Sequence, residues 1–326
     1  MQAIRQYELG GPEVLLYEDV PDLEPGEDQV RIAVSASGVH YLDTSLRTGF
    51  TSAVHQPLQL PMTPGREVAG RIDAIGAGVD PSWLTKRAVA HLGLASGGYA
   101  EQALAAVASL HEVPEGMPCA VAVAAIGTGR TAVGILDQAP VAADDVVIVT
   151  SAAGGLGVLL TQAAKAAGAT VIGLAGGDEK VAIAKAQGAD LAVDYRIDGW
   201  DDVVRRELGG DVATLVFDGV GGKTADSAFH LLAAGGRLMQ HGWFTDEPAT
   251  YDDPARTVTM LLGPQMLARP GGLRSLEAEA LARAADGSRV PLVDAVFALS
   301  DAAGAHRALE ARQTYGKVVL MPDSLL

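Results

Sequence analysis

The chain has 326 residues, 48% of them hydrophobic, with 39 glycines and a formal net charge of −16. That length and apolar content suffice for two cores of ordinary size, and the negative charge, with no local basic patch to override it, disfavours nucleic acid or an anionic membrane as a partner. Cys119 is the only cysteine, so counting excludes an intramolecular disulfide and a thiolate zinc cluster.

The first residues, MQAIRQYELGGPEVLLYEDV, lack a basic start, an apolar centre and a small-residue cleavage site, and no apolar run approaches bilayer length without glycine or charge. A cytoplasmic protein is expected. Up to about residue 115 the chain shows short alternating runs, such as DQVRIAVSASGV at 28–39 and REVAGRIDAIGAGV at 66–79, punctuated by proline and glycine. This predicts a β-rich first domain. From Cys119 onward alanine-rich helical stretches alternate with apolar strand runs: DVVIVT at 145–150, TVIGLA at 170–175, ATLVFD at 213–218 and GRLMQHG at 236–242. Strand and helix in alternation predict a parallel sheet wrapped by helices. A helix near 273–285 and a closing strand-helix-strand pattern follow, and the last strand, KVVLMP, is expected to rejoin the first domain.

Between the runs at 145–150 and 170–175 lies AAGGLG. The backbone there must turn sharply and let an anion approach a helix N-terminus, so Ala152, Gly154, Gly155, Leu156 and Gly157 are read as the cradle of a dinucleotide pyrophosphate. Ala152 stands where the usual fingerprint has its first glycine; the strand-helix-strand context carries the reading. Where a carboxylate would select a free ribose 2′-hydroxyl the sequence is GLAGGDEK. Ala175, Gly176 and Gly177 offer no carboxylate, and Lys180 is placed to pair with a 2′-phosphate, which favours NADPH over NADH. Asp178 and Glu179 also suit a helix start, and Lys180 a solvated surface, for structural reasons alone.

These residues resemble the medium-chain dehydrogenase/reductase superfamily, within it the zinc-free quinone oxidoreductases and enoyl reductases. The resemblance spans nearly the whole chain, through ASGVHYLDTSLRTG (36–49), PMTPGREVAGRIDAIGAGV (61–79), GGYAEQALA (97–105), GTGRTAVGIL (127–136), the glycine loop, KAQGADLAVDY (185–195), FDGVGG (217–222), GGRLMQHG and GKVVL (316–320). It implies an α/β fold: a GroES-like β-rich catalytic domain from both chain ends, residues 1–117 with 265–326, around a Rossmann doubly wound parallel sheet at 118–264. It also implies an active site in the cleft between them and a homodimer joined through the last Rossmann strand, near 257–263.

Zinc-dependent relatives place a cysteine ligand where this chain has His40, and a Gly-His-Glu triplet where it has Gly65, Arg66 and Glu67. Arginine is always protonated and cannot ligate, so no metal is expected. Hydride transfer then needs an acceptor that is already electrophilic, such as a quinone, enone or enoyl thioester, and a donor for the developing enolate. Members without zinc often carry asparagine at the position of His40 and tyrosines where this chain has Ser45 and Thr51. Tyr41, beside His40, is therefore the candidate replacement, with His40 itself, Arg66, water or a ribose hydroxyl as the other donors. A core role for Tyr41 and a hydrogen-bonded structural role for His40 remain open alongside.

By position, Thr131 is expected at the nicotinamide ribose or ring, or as a helix N-terminal hydroxyl. Tyr195 is expected near the adenine and its phosphate, or as a strand-end aromatic. His241, Gly242 and Trp243 stand at a strand end, on the sheet edge where such folds bind their ligands, in place of the aromatic, Gly and Asn common in the family. Trp243 has the alternative of narrowing the substrate pocket. His55, His91 and His230 fall in no constellation and are read as structural. The function expected is NADPH-dependent reduction of a quinone or activated double bond; a pathway-specific enoyl reductase or cyclase-like enzyme, and a non-catalytic NADPH-binding protein, are the alternatives.

Overall fold

The structure, a computed structural model, describes residues 1–52, 56–93, 96–242, 251, 253–261 and 268–326. Contacts divide the chain into two compact units, the first of residues 1–128, 280–285 and 290–326, the second of residues 129–279 and 286–289. The sequence reading sets its crossings at 117/118 and 264/265 instead.

In the first unit β1 (Gln2–Gln6) and β2 (Leu15–Asp19) pair antiparallel. β3 (Gln29–Val39) leads into the short helix α1 (Tyr41–Arg47), and β4 (Glu67–Ile75), β5 (Arg87–His91), β6 (Gln102–Ala106) and β7 (Leu110–Glu112) follow. Alternation along β3 is the period of a half-buried strand: Val30, Ile32 and Val34 turn inward onto Ile72, Ala90 and Leu110. From Ala36 to Val39 both faces are covered and the alternation stops. α2 (Cys119–Ala124) runs through one π turn (Ala125–Gly129) into α3 (Arg130–Gln138). Residues 119–138 are long and apolar enough to cross a membrane, yet 67% of the most apolar window is buried inside the fold, as for a core helix.

In the second unit β8 (Val146–Val149), α4 (Gly155–Ala166), β9 (Thr170–Ala175), α5 (Asp178–Ala186), β10 (Leu191–Asp194), α6 (Trp200–Leu208), β11 (Ala213–Asp218), α7 (Gly222–His230), β12 (Leu232–Gln240) and β13 (Thr257–Met260) alternate as the sequence predicts. The sheet order is β10-β9-β8-β11-β12-β13, all parallel. The central strands β8, β9 and β11 are apolar with little alternation, as expected where helices cover both faces, and Ile148, Ile172, Leu174, Val216 and Leu238 pack with Phe229 and Trp200. β12 starts four residues before the predicted run, because pairing with β11 carries it through Gly235 and Gly236. The crossover behind β8 places the glycine loop at the carboxyl edge of the sheet, where doubly wound folds bind ligands.

α8 (Gly272–Ala285) leads back to the first unit, where β14 (Val293–Ala298), α9 (Ala302–Glu310) and β15 (Lys317–Met321) close the chain. β15 pairs antiparallel with β3, Val318 opposite Val39, so the larger sheet runs β14-β15-β3-β4-β5-β7 with β6 also on β3. The chain's two ends therefore share one sheet.

Candidate active site

Four neighbouring strands of the first unit carry one buried polar group. Val318 pairs with Val39, so Lys317 and His40, the next residue on each chain, lie side by side; Ser37 pairs with Val68, which sets Glu67 beside Gly38; and Glu67 pairs with His91. Side chains meet along that row. Lys317 Nζ is 2.7 Å from His40 Nε2 and donates to Glu67 Oε2 at 3.2 Å. Glu67 Oε1 lies 2.6 Å from His40 Nε2 and 4.0 Å from His91 Nε2, yet has no hydrogen bond. Glu67 and Lys317 are 1% and 4% exposed as side chains, His40 24%. Two glycines make the room. A Cβ on Gly127 would fall 1.7 Å from Glu67 Oε1, and one on Gly38 would fall 2.5 Å from Oε2. Burial disfavours the Glu67 carboxylate, but His40 and Lys317 outweigh it and hold its pKa well below the usual range. Burial lowers the pKa of both His40 and Lys317, against the raising pull of Glu67.

A second network fixes the His40 backbone. Asp43 accepts from His40 N at 2.8 Å, from Arg66 Nε at 3.3 Å and from Tyr99 Oη at 3.2 Å. Tyr99 Oη also lies 3.2 Å from His306 Nε2, and His306 Nδ1 is 2.9 Å from Arg47 Nη1. Burial pushes His306 down to about 4, so its ring is neutral near pH 7. Arg47 can only donate, so Nδ1 accepts and Nε2–H donates to Tyr99, whose hydroxyl donates to Asp43. Every donor in that chain has its acceptor.

The second unit's site is built from backbone and small side chains. Ser151 takes a left-handed turn at φ 53° after β8, and α4 opens at Gly155 with Gly154 as its N-cap. Gly157 permits the close approach: a Cβ there would meet Ser151 O at 2.1 Å and Ala152 Cα at 2.8 Å. The departure at Ala152 is absorbed by Gly173 on β9, the space of whose missing Cβ lies 3.2 Å from the Ala152 Cβ. At the end of β9, Tyr195 packs over Gly176 and the Arg196 guanidinium over Gly177. Arg196 grips Asp194 through Nε at 3.1 Å and Nη2 at 2.9 Å, which lowers the Asp194 carboxyl to about 2. Lys180 sits in the first turn of α5 behind Asp178 and Glu179, and Gly177 is the N-cap. At the ends of β8 and β11, Asp218 accepts from Thr150 Oγ1 at 2.9 Å and from the amides of Val220 and Gly221, while burial raises its pKa. The His241 ring lies across Gly219; burial lowers its pKa to about 4, and among the described residues nothing pairs with its Nε2.

The sequence-predicted residues thus fall into two sets. Gly154, Gly155, Leu156, Gly157, Gly176, Gly177, Lys180, Tyr195, His241 and Gly242 all lie at the carboxyl edge of one parallel sheet. His40 and Arg66 meet around Asp43, and Tyr41 opens α1 beside them. Trp243 and His55 lie outside the described residues. Three expectations need correction. Tyr41 is 39% exposed, which removes the core alternative for it. Thr131 does not sit at an open helix N-terminus, because Gly129 before it is already helical and the π turn continues from α2. His91, which falls in no constellation of the sequence, faces Glu67. Sequence reasoning misses Lys317, Asp43 and Arg196. The signal for Lys317 is a charge opening an apolar run, KVVLM, whose first four residues are buried; Asp43 and Arg196 leave no comparable mark.

Among the described residues no group of three or more His, Cys, Asp or Glu is placed to hold a metal ion. Residues 26–115 match the family described as alcohol dehydrogenase GroES-like domain, and residues 155–267 the family described as zinc-binding dehydrogenase. The chain is 31% identical to a quinone oxidoreductase of Sus scrofa, over 98% of each chain. It is 30% identical to a 2-haloacrylate reductase of a Burkholderia species, again over 98% of each. A mycobacterial protein solved with NADPH superposes with a TM-score of 0.84 at 33% identity, over 99% of this chain and 100% of that one.

Proposed function

The chain belongs to the medium-chain dehydrogenase/reductase superfamily, in its quinone oxidoreductase branch, and is an NADPH-dependent reductase; from that premise we propose that it works without zinc and delivers hydride to a quinone or to the double bond of an α,β-unsaturated carbonyl. The observation that carries this reading is the Lys317 ammonium, 2.7 Å from His40 Nε2 and 3.2 Å from Glu67 Oε2. A fixed cation between the histidine and the carboxylate repels a divalent metal, and Arg66 adds a second positive charge nearby. Without a Lewis acid to polarise a carbonyl, the acceptor must be electrophilic in itself. Relatives named for quinones and for 2-haloacrylate have acceptors of that kind.

The cradle fits NADPH. Gly154 and Gly157 leave backbone amides of α4 open to a pyrophosphate, no carboxylate stands at Ala175 or Gly176, and Arg196 and Lys180 bring positive charge to the end of β9. Tyr195, over Gly176, gives the adenosine an aromatic face. When bound, NADPH supplies the hydride. His40 then donates a proton to the enolate oxygen, the hydroxyl of Tyr41, an exposed residue, offers the same oxygen a second hydrogen bond, and Arg66 holds Asp43 and through it the His40 backbone. β13 ends its sheet with all four residues exposed, an open edge on which a second copy would pair, and we read the protein as a homodimer through it.

The test is NADPH consumption with a panel of quinones, enones and enoyl thioesters, before and after chelator treatment. Turnover of at least one class, unchanged by chelator, is expected. Activity lost to chelator and restored by zinc would overturn the metal-free reading, and tight NADPH binding with no turnover would favour a non-catalytic role.

A further inference from the structure

Arg66 is held firmly by its backbone and sparingly by its side chain. Gly65 before it, at φ 92°, lies against Tyr99, where an added Cβ would fall 2.3 Å from Cδ1 and 2.7 Å from the backbone nitrogen. Gly98 N donates to Gly65 O at 2.9 Å and Leu92 N donates to Arg66 O at 2.7 Å, which pins the main chain on both sides. A guanidinium has five N–H donors. In Arg47, on the same network, all three nitrogens are engaged, by Gly10 O, His306 Nδ1 and the Glu310 carboxylate. In Arg66 Nε alone is engaged, by Asp43 Oδ1 at 3.3 Å, and among the described residues nothing pairs with Nη1 or Nη2. Neither amino group is among the buried atoms without a partner, so both reach solvent from a side chain that is 12% exposed. The neighbouring anions are sealed behind it. Asp43 is 4% exposed and its Oδ2 accepts from His40 N and Tyr99 Oη, while Glu67, 1% exposed, accepts from Lys317. Burial lowers the Lys317 pKa most and the Arg66 charge lowers it further, so the two cations repel each other. An anion arriving from solvent meets the guanidinium first and relieves that repulsion.

We propose that Arg66 binds a carboxylate of the acceptor, so that the preferred substrate is an anionic enone, an α,β-unsaturated ketone carrying a carboxylate a few bonds from its carbonyl. The inference rests on the reductase reading above and deepens it by naming the substrate class. Nη1 and Nη2 form one edge of the planar guanidinium, and their outer N–H bonds run parallel at the spacing of the two oxygens of a carboxylate. Nε–H stays with Asp43. Asp43 also accepts from His40 N, so a single carboxylate sets Arg66 and His40 relative to each other. A substrate held at Arg66 by its acid group thus brings its ketone oxygen to His40 and Tyr41 already oriented. Hydride bonds to the alkene carbon β to the ketone, the alkene electron pair shifts onto the ketone oxygen, and that oxygen takes its proton from His40. The carboxylate gains and loses no bond; it serves as the anchor. A neutral enone of the same shape leaves the two amino groups to water and lacks that anchor.

The experiment compares an acid with its amide. Trans-β-acetylacrylate and trans-β-acetylacrylamide share one enone and nearly one shape, and differ in charge. In wild type kcat/KM is expected to favour the acid by about 10- to 100-fold, the range for a charge-assisted bidentate pair. Arg66→Gln keeps a donor but loses the charge and the fork, and should bring the ratio close to one. The ratio of two substrates on one enzyme cancels any damage to Asp43 or His40, so a merely structural Arg66 would lower both rates and leave the ratio where it was. That outcome, or a wild type that treats acid and amide alike, overturns the proposal. If Arg66→Gln does not fold, Arg66→Lys takes its place: a single ammonium cannot fork, so the ratio should fall part of the way, and a ratio equal to that of wild type overturns the bidentate contact. Binding is read separately, by titrating levulinate and levulinamide into the NADP⁺-loaded protein. Levulinate held at least about tenfold more tightly, with the difference lost in the variant, supports the assignment; equal affinities in wild type overturn it whatever the turnover. A protein inert toward neutral quinones and enones and toward the acid refutes the reductase reading instead, and the titration then decides the Arg66 assignment by itself.

Discussion

The His40–Glu67–Lys317 group and the glycine loop solve opposite problems. The loop, in the role proposed for it, works with backbone: side chains are absent at Gly154 and Gly157, where an added Cβ would meet Ser151 and Ala152. The other group works with side chains, burying Glu67 and Lys317 against the partly exposed His40 where glycines at 38 and 127 leave space for them. A backbone site tolerates changes in its neighbours as long as the turn survives, as Ala152 in place of a glycine shows. A buried charged site has no such slack, since each member is the counter-charge or hydrogen-bond partner of another.

The sharpest way to break that contrast is to remove one buried charge. Glu67→Ala leaves the Lys317 ammonium buried without its carboxylate and should lower stability by about 3 to 5 kcal/mol in urea unfolding. The double change Glu67→Leu with Lys317→Met should sit close to wild type, because no lone charge remains. A single mutant losing less than about 1 kcal/mol, well under the range for a broken buried pair, would mean that the group is not buried as described.

Acid should act on both units through their buried rings. His306 and His241 are each lowered from 6.5 to about 4 by burial, so both rings are neutral, folded or unfolded, above pH 6.5 and pH has no effect through them there. As pH falls from 6.5 toward 4 the unfolded chain takes up a proton that the folded ring refuses, and stability is lost, by roughly 3 kcal/mol per ring. Denaturation midpoints at pH 7, 5.5 and 4.5 measure it. His241→Phe should flatten the profile at little loss near pH 7. His306→Gln should flatten it too, but also lower stability near pH 7, since Arg47 and Tyr99 lose their partner. A profile unchanged in both variants would show that neither ring is neutral through burial.

At the loop, the charges that matter are on its rim. Arg196→Gln and Lys180→Ala should each weaken NADPH by about 1 to 3 kcal/mol, up to about a hundredfold in Kd, while NADH changes little. Equal losses for the two cofactors, by calorimetry, would remove both residues from the 2′-phosphate. The smallest effect is expected at Tyr41. Tyr41→Phe removes one hydroxyl and should lower kcat about tenfold, ~1.4 kcal/mol, with NADPH affinity unchanged. A loss as large as that of His40→Ala would make Tyr41, and not His40, the principal donor.

What the sequence determined by itself was periodic or local. Alternation in β3, unbroken apolar runs in β8, β9 and β11, and the glycines between β8 and α4 each state a physical requirement within a few consecutive residues, so the alternating α/β unit and the glycine turn inside it were legible before any coordinates. His40, Arg66 and Tyr41 became candidates because they stand at family positions whose usual residues are replaced. The tertiary structure alone decided the rest. Lys317 is 277 residues from His40 and 250 from Glu67, and only the antiparallel pairing of β15 on β3 and of β3 on β4 puts the three within hydrogen-bonding reach. Nothing local to KVVLM tells whether its lysine turns to water or to a carboxylate. The turn inward depends on the space left by Gly38 and Gly127 and on the charge of Glu67, and those come from strands and helices that meet only when the chain closes its sheet.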